Sequence, residues 1–333
     1  MRSLEWVDGA IELIDQTRLP QEAETLRIDQ VPDLVAAIKR LSVRGAPAIG
    51  VAAAYGVALA AITHPPTQDR AAFDAAVDSL RTARPTAVNL ARMVDRVAPI
   101  AVADPTAALA EAHAIRDEEL AASVAMGELG ADLVQALVSD PGAVRAMTIC
   151  NTGGLATVER GTALGVIQTL HERGALAEAL PLETRPLLQG GRLTTLELRE
   201  MGAPHRLVVD GAGPFLLARG AADVVLIGAD RVAANGDAAN KIGSFSLALG
   251  AAHAGVPFVV VAPESTVDMA TVSGDTIEIE DRGAAEVATV RGRPIAPEGT
   301  PGLNPAFDVT PVGLITALVT DTRVIRFDQG DRL

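Results

Sequence analysis

The sequence predicts an α/β protein in two parts: a mostly helical N-terminal domain with a small antiparallel sheet, and a C-terminal domain built on a parallel sheet flanked by helices. Three observations carry that expectation. After Pro141-Gly142, short Val- and Leu-rich runs alternate with helix-length segments, as in a parallel sheet crossed by helices. Before that point, long stretches repeat their apolar residues at helical spacing. Near the N-terminus, Asp8-Gly9 separates two alternating segments, a hairpin signal. The boundary is placed so that the domains are 1–125 and 126–333.

Taken in order, residues 3–28 read as short strands, with Thr25-Leu26-Arg27-Ile28 the third. Leu34, Ala37, Ile38 and Leu41 then mark a helix over 31–41. Residues 46–62 are apolar nearly all round, so that helix is expected to be buried. Helices follow at 71–83, 88–100 and 105–138, the last long enough to be a spacer between domains. In the C-terminal part, strands are expected at 143–149, 180–182, 205–209, 222–228 and 257–262, with helices at 162–173, 193–201 and 213–219 and another beginning at Asn240. Residues 263–308 are rich in Gly and Pro and should wrap the surface. A last helix is predicted over 310–319 and a final strand over 324–327.

Composition excludes several classes of function. The chain has 333 residues, 49% of them hydrophobic and only 2% aromatic, so Ala, Val and Leu must fill a sizeable core. A formal net charge of -14 disfavours nucleic acid and anionic lipid as partners, since both call for a basic surface. A single cysteine allows no internal disulfide and fits a reducing compartment. The first residues lack an apolar signal core, and the apolar run at 46–62 is short and broken by glycines, so a soluble cytoplasmic protein is expected. The five histidines have no metal-ligand spacing, so no metal site is expected.

The chemistry-bearing residues cluster at strand ends. Asp230 follows the apolar run ending at Ile227-Gly228, and Cys150 follows the strand before it and opens Cys150-Asn151-Thr152-Gly153-Gly154. In a parallel sheet both lie on the carboxyl edge, where open α/β sheets bind ligands. A thiol and a carboxyl there can form an acid–base pair, and partial burial would keep Asp230 protonated. Most loops only connect and most lone cysteines only pack, so each residue taken singly has a plain structural reading. Arg44-Gly45-Ala46-Pro47 forms a second candidate: Pro47 suits a helix start, and the N–H groups of Gly45 and Ala46 with the Arg44 fork would cradle a phosphate. Arg84-Pro85-Thr86-Ala87 is a weaker version, and Arg185 to Gln189-Gly190 fits a ligand-facing turn. Lys241 is expected near a helix start, where a cation opposes the macrodipole unless an anion or Asp230 relieves it.

Several of these stretches together resemble the methylthioribose-1-phosphate isomerase family, within the superfamily that includes regulatory subunits of an initiation-factor exchange complex. The likeness runs through Arg44-Gly45-Ala46-Pro47-Ala48-Ile49-Gly50, Arg84 to Leu90, Thr148-Ile149-Cys150-Asn151-Thr152-Gly153, and Glu183-Thr184-Arg185-Pro186 with Gln189-Gly190. It continues in Gly228-Ala229-Asp230-Arg231, Asn240-Lys241-Ile242-Gly243 and Pro305 to Pro311. The resemblance implies a Rossmann-like C-terminal domain, a homodimer, and no metal or nucleotide cofactor. It implies Cys150 and Asp230 as catalytic residues and Arg44, Gly45, Ala46, Arg84, Gln189, Asn240 and Lys241 as substrate-binding residues. The reaction implied is conversion of 5-methylthioribose 1-phosphate to 5-methylthioribulose 1-phosphate, with Asp230 protonating the ring oxygen and Cys150 handling the C2 proton; a direct hydride shift is the alternative route. Isomerases of 5-deoxyribose 1-phosphate or ribose 1,5-bisphosphate are the alternatives among enzymes, and a non-catalytic regulatory subunit is the alternative outside them. Gly154, Leu187, Gly191 and Leu196 depart from the family pattern and bear on the pocket wall.

Overall fold

A computed structural model describes residues 1–84 and 88–333, and of Val88 the backbone alone. Pro85, Thr86 and Ala87 of the second arginine motif lie outside the described residues. The chain divides into two compact units, Met1–Ser123 with Gly153–Gly161, and Val124–Thr152 with Thr162–Leu333.

In the first unit β1 (Leu4–Val7), β2 (Ala10–Ile14) and β3 (Thr25–Ile28) form an antiparallel sheet in that order. Asp8 and Gly9 both take positive φ, 45° and 82°, the backbone that a two-residue hairpin of native twist requires. Helices α1 (Val31–Lys39), α2 (Ala46–Thr63), α3 (Arg70–Arg81), α4 (Val88–Ala103) and the first part of α5 (Pro105–Leu137) complete it. α2 is the core helix: residues 48–61 are buried without a break. Gly56 makes that possible, because a Cβ there would lie 2.7 Å from Leu34 Cδ2 and 3.0 Å from Leu80. By length and composition alone α2 and a stretch of α5 could cross a membrane, but α2 is enclosed by its own unit, as a core helix is.

A single cut at 125/126 does not describe the partition, because Gly153–Gly161 belongs with the first unit. Ser3 ties that segment to the first unit: its N–H donates to Val158 O at 2.8 Å and its Oγ to Thr157 O at 3.0 Å, while Val158 joins the first unit's core.

The second unit holds β4 (Val144–Thr148), α6 (Ala163–Glu172), β5 (Leu176–Pro181), a π-turn at Gly190–Thr194 running into α7 (Thr195–Glu200), α8 (Gly213–Ala218) and β6 (Val224–Ile227). Next come β7 (Arg231–Ala233), β8 (Ala238–Lys241), α9 (Ser244–Ala254), β9 (Phe258–Val261), β10 (Val267–Asp268), α10 (Ala284–Ala288), β11 (Thr289–Val290), β12 (Arg293–Pro294), β13 (Phe307–Thr310), β14 (Ala317–Val319) and β15 (Val324–Ile325). The main sheet has the order β15-β14-β9-β6-β4-β5. All its pairings are parallel except that of β15 with β14. Along the chain the parallel strands therefore run in the order 2-1-3-4-5, and the winding reverses between β4 and β6. A crevice opens outside the carboxyl ends of the strands at such a reversal. A second sheet, β10-β7-β8-β13, is built on the β7–β8 hairpin.

Three expectations are corrected. No helix spans 310–319: a short 3-10 turn at Val312–Leu314 leads into β14, which pairs in parallel with β9 through Ala317 and Val259. The apolar run there serves a buried strand, and short apolar runs do not distinguish strand from helix. Residues 205–209 make only isolated bridges, His205 with Ala179 and Val208 with Leu182, rather than a strand. The helix expected from Asn240 begins instead at Ser244, because Gly243 turns the chain through φ 103° after β8.

Candidate active site

The carboxyl edge of the sheet at the winding reversal carries the loops that follow β4, β5 and β6. Register pairs Met147 with Val225, so the chain leaves β4 toward Cys150 beside the point where it leaves β6 toward Asp230. The two exits touch: a Cβ on Gly228 would lie 2.9 Å from Thr152 Cγ2. Thr152 also fixes the next helix, accepting from Leu164 N–H at 3.0 Å through Oγ1 and from Thr162 N–H at 2.8 Å through its carbonyl.

Cys150 is held in an unusual backbone state. Its φ is 66°, the left-handed region that non-glycine residues seldom occupy, and it is 8% exposed. Its N–H donates to Thr184 Oγ1 at 2.8 Å, and its carbonyl accepts from Thr194 Oγ1 at 2.6 Å. Asn151 Nδ2 donates to Glu197 Oε1 at 2.6 Å and to Thr194 Oγ1 at 3.3 Å. The loop after β5 thus grips the loop after β4. Asp210 anchors that grip by accepting from Thr184 N–H at 2.7 Å and Arg185 N–H at 2.6 Å.

Gln189 stands at the head of the π-turn, 5% exposed, and its buried Oε1 has no hydrogen-bond partner among the described residues. A buried amide oxygen left without a donor suits a site that receives one from a ligand. Its neighbour Gly190 admits no side chain, since a Cβ would lie 1.7 Å from Leu182 O. π-turns inside helices concentrate at functional sites.

Asp230 opens the β7–β8 hairpin. Its N–H donates to Ala239 O at 2.9 Å, and the pairing of Arg231 with Ala239 brings Asp230 opposite Asn240. Asp230 is exposed, so the burial expected to hold its proton is not supplied by the chain. Asn240 and Lys241 are buried on β8, not on a helix. Asn240 Nδ2 donates to Ser244 Oγ at 2.9 Å, which donates to Lys241 O at 2.8 Å. Lys241 Nζ donates to Ala306 O at 2.5 Å and lies 4.2 Å from the Phe307 ring centroid. It is a strand residue facing β13, three positions ahead of the α9 start. The group at the α9 N-terminus is Asp308, which sits across from Asn240 and accepts from Gly243 N–H at 2.7 Å and Phe245 N–H at 3.1 Å. Burial pushes the Asp308 carboxyl up from 3.8 to about 6, against the pull of those two N–H groups and of Lys241. Asp237 pins the hairpin tip, accepting from Gly274 N–H at 3.0 Å and Val312 N–H at 2.8 Å.

The other candidates belong to the first unit. Gly45 precedes α2 at φ 88°, and a Cβ on it would lie 2.2 Å from Ala156 O, so only glycine fits. Ala48 N–H donates to Ala156 O at 3.2 Å and Ile49 N–H to Gly45 O at 3.0 Å. No side chain caps this helix end. Arg44 Nε donates to Gln16 Oε1 at 3.3 Å, and the buried Gln16 donates in turn to Leu155 O at 2.7 Å. Arg84 is half-buried where the described stretch ends, and Asn89 of the same motif is buried at the head of α4. The structure thus gathers Cys150, Gln189, Asp230, Asn240 and Lys241 in the second unit and Arg44, Gly45, Ala46 and Arg84 in the first. Among the described residues no group of three or more His, Cys, Asp or Glu is arranged to hold a metal.

A profile of the initiation factor 2 subunit family matches residues 42–326. The chain belongs to the initiation factor 2 subunit family. Among curated relatives, the methylthioribose-1-phosphate isomerase of Anaeromyxobacter sp. (strain K) is 50% identical over 95% of this chain and 91% of that one. Another is a probable bifunctional methylthioribose-1-phosphate isomerase/methylthioribulose-1-phosphate dehydratase of Nocardia farcinica, 51% identical over 97% of this chain; the chain spans only 59% of that longer relative. Among solved structures, 5-methylthioribose 1-phosphate isomerase from Pyrococcus horikoshii OT3 superposes with a TM-score of 0.90 at 38% identity, covering 98% of this chain and 92% of that one. The translation initiation factor eIF-2B, subunit delta, from A. fulgidus gives 0.81, also at 38% identity, covering 98% and 96%. The mixed α/β fold is shared by both.

Several residues that shape the site carry little or no signal in the sequence. Thr184 and Thr194 have no local signature. Glu197 has one: it lies four residues after Leu193 on a buried helical face, a carboxyl where an apolar residue is expected. Asp308 lies within the Pro305 to Pro311 stretch, where its carboxyl carries no spacing signal of its own. The β7–β8 hairpin was announced by Asn235-Gly236, where Gly236 takes φ 92°.

Proposed function

We propose that this chain is an aldose–ketose isomerase that converts 5-methylthioribose 1-phosphate to 5-methylthioribulose 1-phosphate. The observation that carries the reading is the adjacency of β4 and β6 at the winding reversal, which sets Cys150 and Asp230 on neighbouring strand exits. The relatives named for this reaction, 50% and 45% identical over 95% and 99% of the chain, support it.

The substrate's anomeric oxygen carries phosphate, so the ring cannot open by loss of a hydroxyl proton. Asp230 donates a proton to the ring oxygen and the C1–O bond breaks. Cys150, as thiolate, takes the C2 proton, leaving an enol phosphate. C1 then regains a proton from the thiol while Asp230 takes the O2 proton, so both groups return to their starting states. Sugar seated against the exposed Asp230 replaces water there, supplying the desolvation that the chain alone does not. The N–H groups of Gly45 and Ala46, with Arg44, receive phosphate. Arg84, Gln189, Asn240 and Lys241 hold the sugar and orient Asp230, with Gln189 Oε1 accepting from one sugar hydroxyl. Deuterium at C1 of product formed in deuterated water supports this route, whereas its complete absence fits a hydride shift or a proton that the thiol returns without exchange.

The protein is further read as a cytoplasmic homodimer. Phe215 on α8 and Phe245 and Leu249 on α9 are exposed apolar side chains available for such a contact. The eIF-2B delta likeness favours one other reading, a non-catalytic regulatory subunit. The deciding experiment offers the wild-type protein 5-methylthioribose 1-phosphate, 5-deoxyribose 1-phosphate and ribose 1,5-bisphosphate separately. Turnover of the first, lost in Cys150→Ala, is expected; no turnover of any overturns the isomerase reading and favours the regulatory one.

A further inference from the structure

We infer that Thr184 and Thr194 are positioning residues that clamp Cys150 in its left-handed backbone state and thereby aim its thiol. The inference rests on the role given to Cys150 above. A residue with a Cβ at φ 66° relaxes toward ordinary backbone regions unless its surroundings hold it. Here the two flanking peptide groups are held by two hydroxyls from one neighbouring loop. Thr184 Oγ1 accepts from Cys150 N–H at 2.8 Å and donates to Leu182 O at 2.9 Å, so its single proton is committed and its orientation set. Thr194 Oγ1 donates to Cys150 O at 2.6 Å and accepts from Asn151 Nδ2 at 3.3 Å, which also donates to Glu197 Oε1 at 2.6 Å. Both threonines are buried, so water does not compete.

The clamp is itself built into rigid pieces. Thr184 has φ 65° and its N–H is held by Asp210 Oδ1 at 2.7 Å. Thr194 closes the π-turn whose extra residue sets where its hydroxyl falls. Gly190 packs against Thr184, since a Cβ on it would lie 2.9 Å from Thr184 Oγ1. Gln189, with its unpaired oxygen, and the clamp on Cys150 are therefore parts of one loop. That loop orders the thiol and a ligand-facing amide together.

Cys150 is the only cysteine, so alkylation by iodoacetamide reports on that thiol alone and needs no turnover. The test compares Thr184→Val and Thr194→Val, which remove a hydroxyl at nearly constant volume, with Thr184→Ser and Thr194→Ser, which keep it. Released from the buried left-handed state, the thiol in each Val variant is expected to alkylate at least about fivefold faster, and kcat to fall at least about tenfold with KM within about twofold. The Ser variants should keep wild-type values of all three. Wild-type alkylation and kcat in a folded Val variant overturn the clamp. If the Val variants do not fold, the Ser variants decide: a folded Ser variant that loses kcat overturns it, and one that retains kcat and alkylation rate supports it. Should wild-type protein turn over no sugar phosphate, the proposed function fails while the alkylation comparison still tests the clamp.

Discussion

Replacing Asp308 by Asn tests the electrostatics of the corner that carries Asn240 and Lys241. Asp308 is half-buried on β13, faces the first turn of α9, and has its carboxyl pushed from 3.8 to about 6, chiefly by burial. Between those two values the folded chain binds more protons than the unfolded chain. Its contribution to stability is therefore fully present below the unfolded value and is lost as pH rises through the folded one. A shift of about 2 units at roughly 1.4 kcal/mol each corresponds to about 3 kcal/mol. Urea denaturation of wild type and Asp308→Asn, followed by circular dichroism from pH 4 to 7.5, gives the stability difference at each pH. Any pH-independent effect of the amide on Gly243 and Phe245 appears as a constant offset. The wild type should lose roughly 3 kcal/mol relative to the variant across the interval from about pH 4 to about pH 6.5, with little change above. A difference that stays flat, or grows in favour of the wild type with rising pH, refutes the reasoning.

Two further outcomes follow from close contacts. Gly45→Ala places a Cβ 2.2 Å from Ala156 O at φ 88°, so the α2 N-terminus must move; stability should fall by about 2 kcal/mol or more and KM for the sugar phosphate should rise more than kcat falls. Unchanged melting temperature and KM would count against the cradle. Asp237→Ala leaves the N–H groups of Gly274 and Val312 without their acceptor and should cost about 1–3 kcal/mol at neutral pH in a denaturation measurement. Burial raises the Asp237 carboxyl, but hydrogen bonds from Asn235 and from the Val312 and Gly274 N–H groups outweigh it and hold it low. The stability Asp237 confers is thus present above the ordinary carboxylate value and lost as pH falls through its lowered one.

Much of the fold was legible because its signals are local. The Val-rich runs at β6 and β9 and the helical spacing of α1 and α6 each reflect one element's own burial. Where pairing with a distant strand decided the outcome, local reading failed. Residues 317–319 are apolar enough for a helix, and only parallel pairing with β9 makes them a strand. The same holds for Asn240 and Lys241, whose strand state depends on β7 and β13 and whose helix-like continuation is interrupted by a left-handed glycine. Within the site, the charged and nucleophilic candidates could be named from sequence because their chemistry is rare. The hydroxyls of Thr184 and Thr194 could not, since threonine is common and its hydrogen bonds to Cys150 span 34 and 44 positions.

The most direct measurement of the central claim is steady-state turnover of 5-methylthioribose 1-phosphate by Cys150→Ala and Asp230→Asn, each first shown to retain the wild-type circular dichroism spectrum. If the two groups move the protons of ring opening and enolisation, kcat should fall by about 10²–10⁴-fold in each. A kcat within a few-fold of wild type in either variant would contradict the assignment.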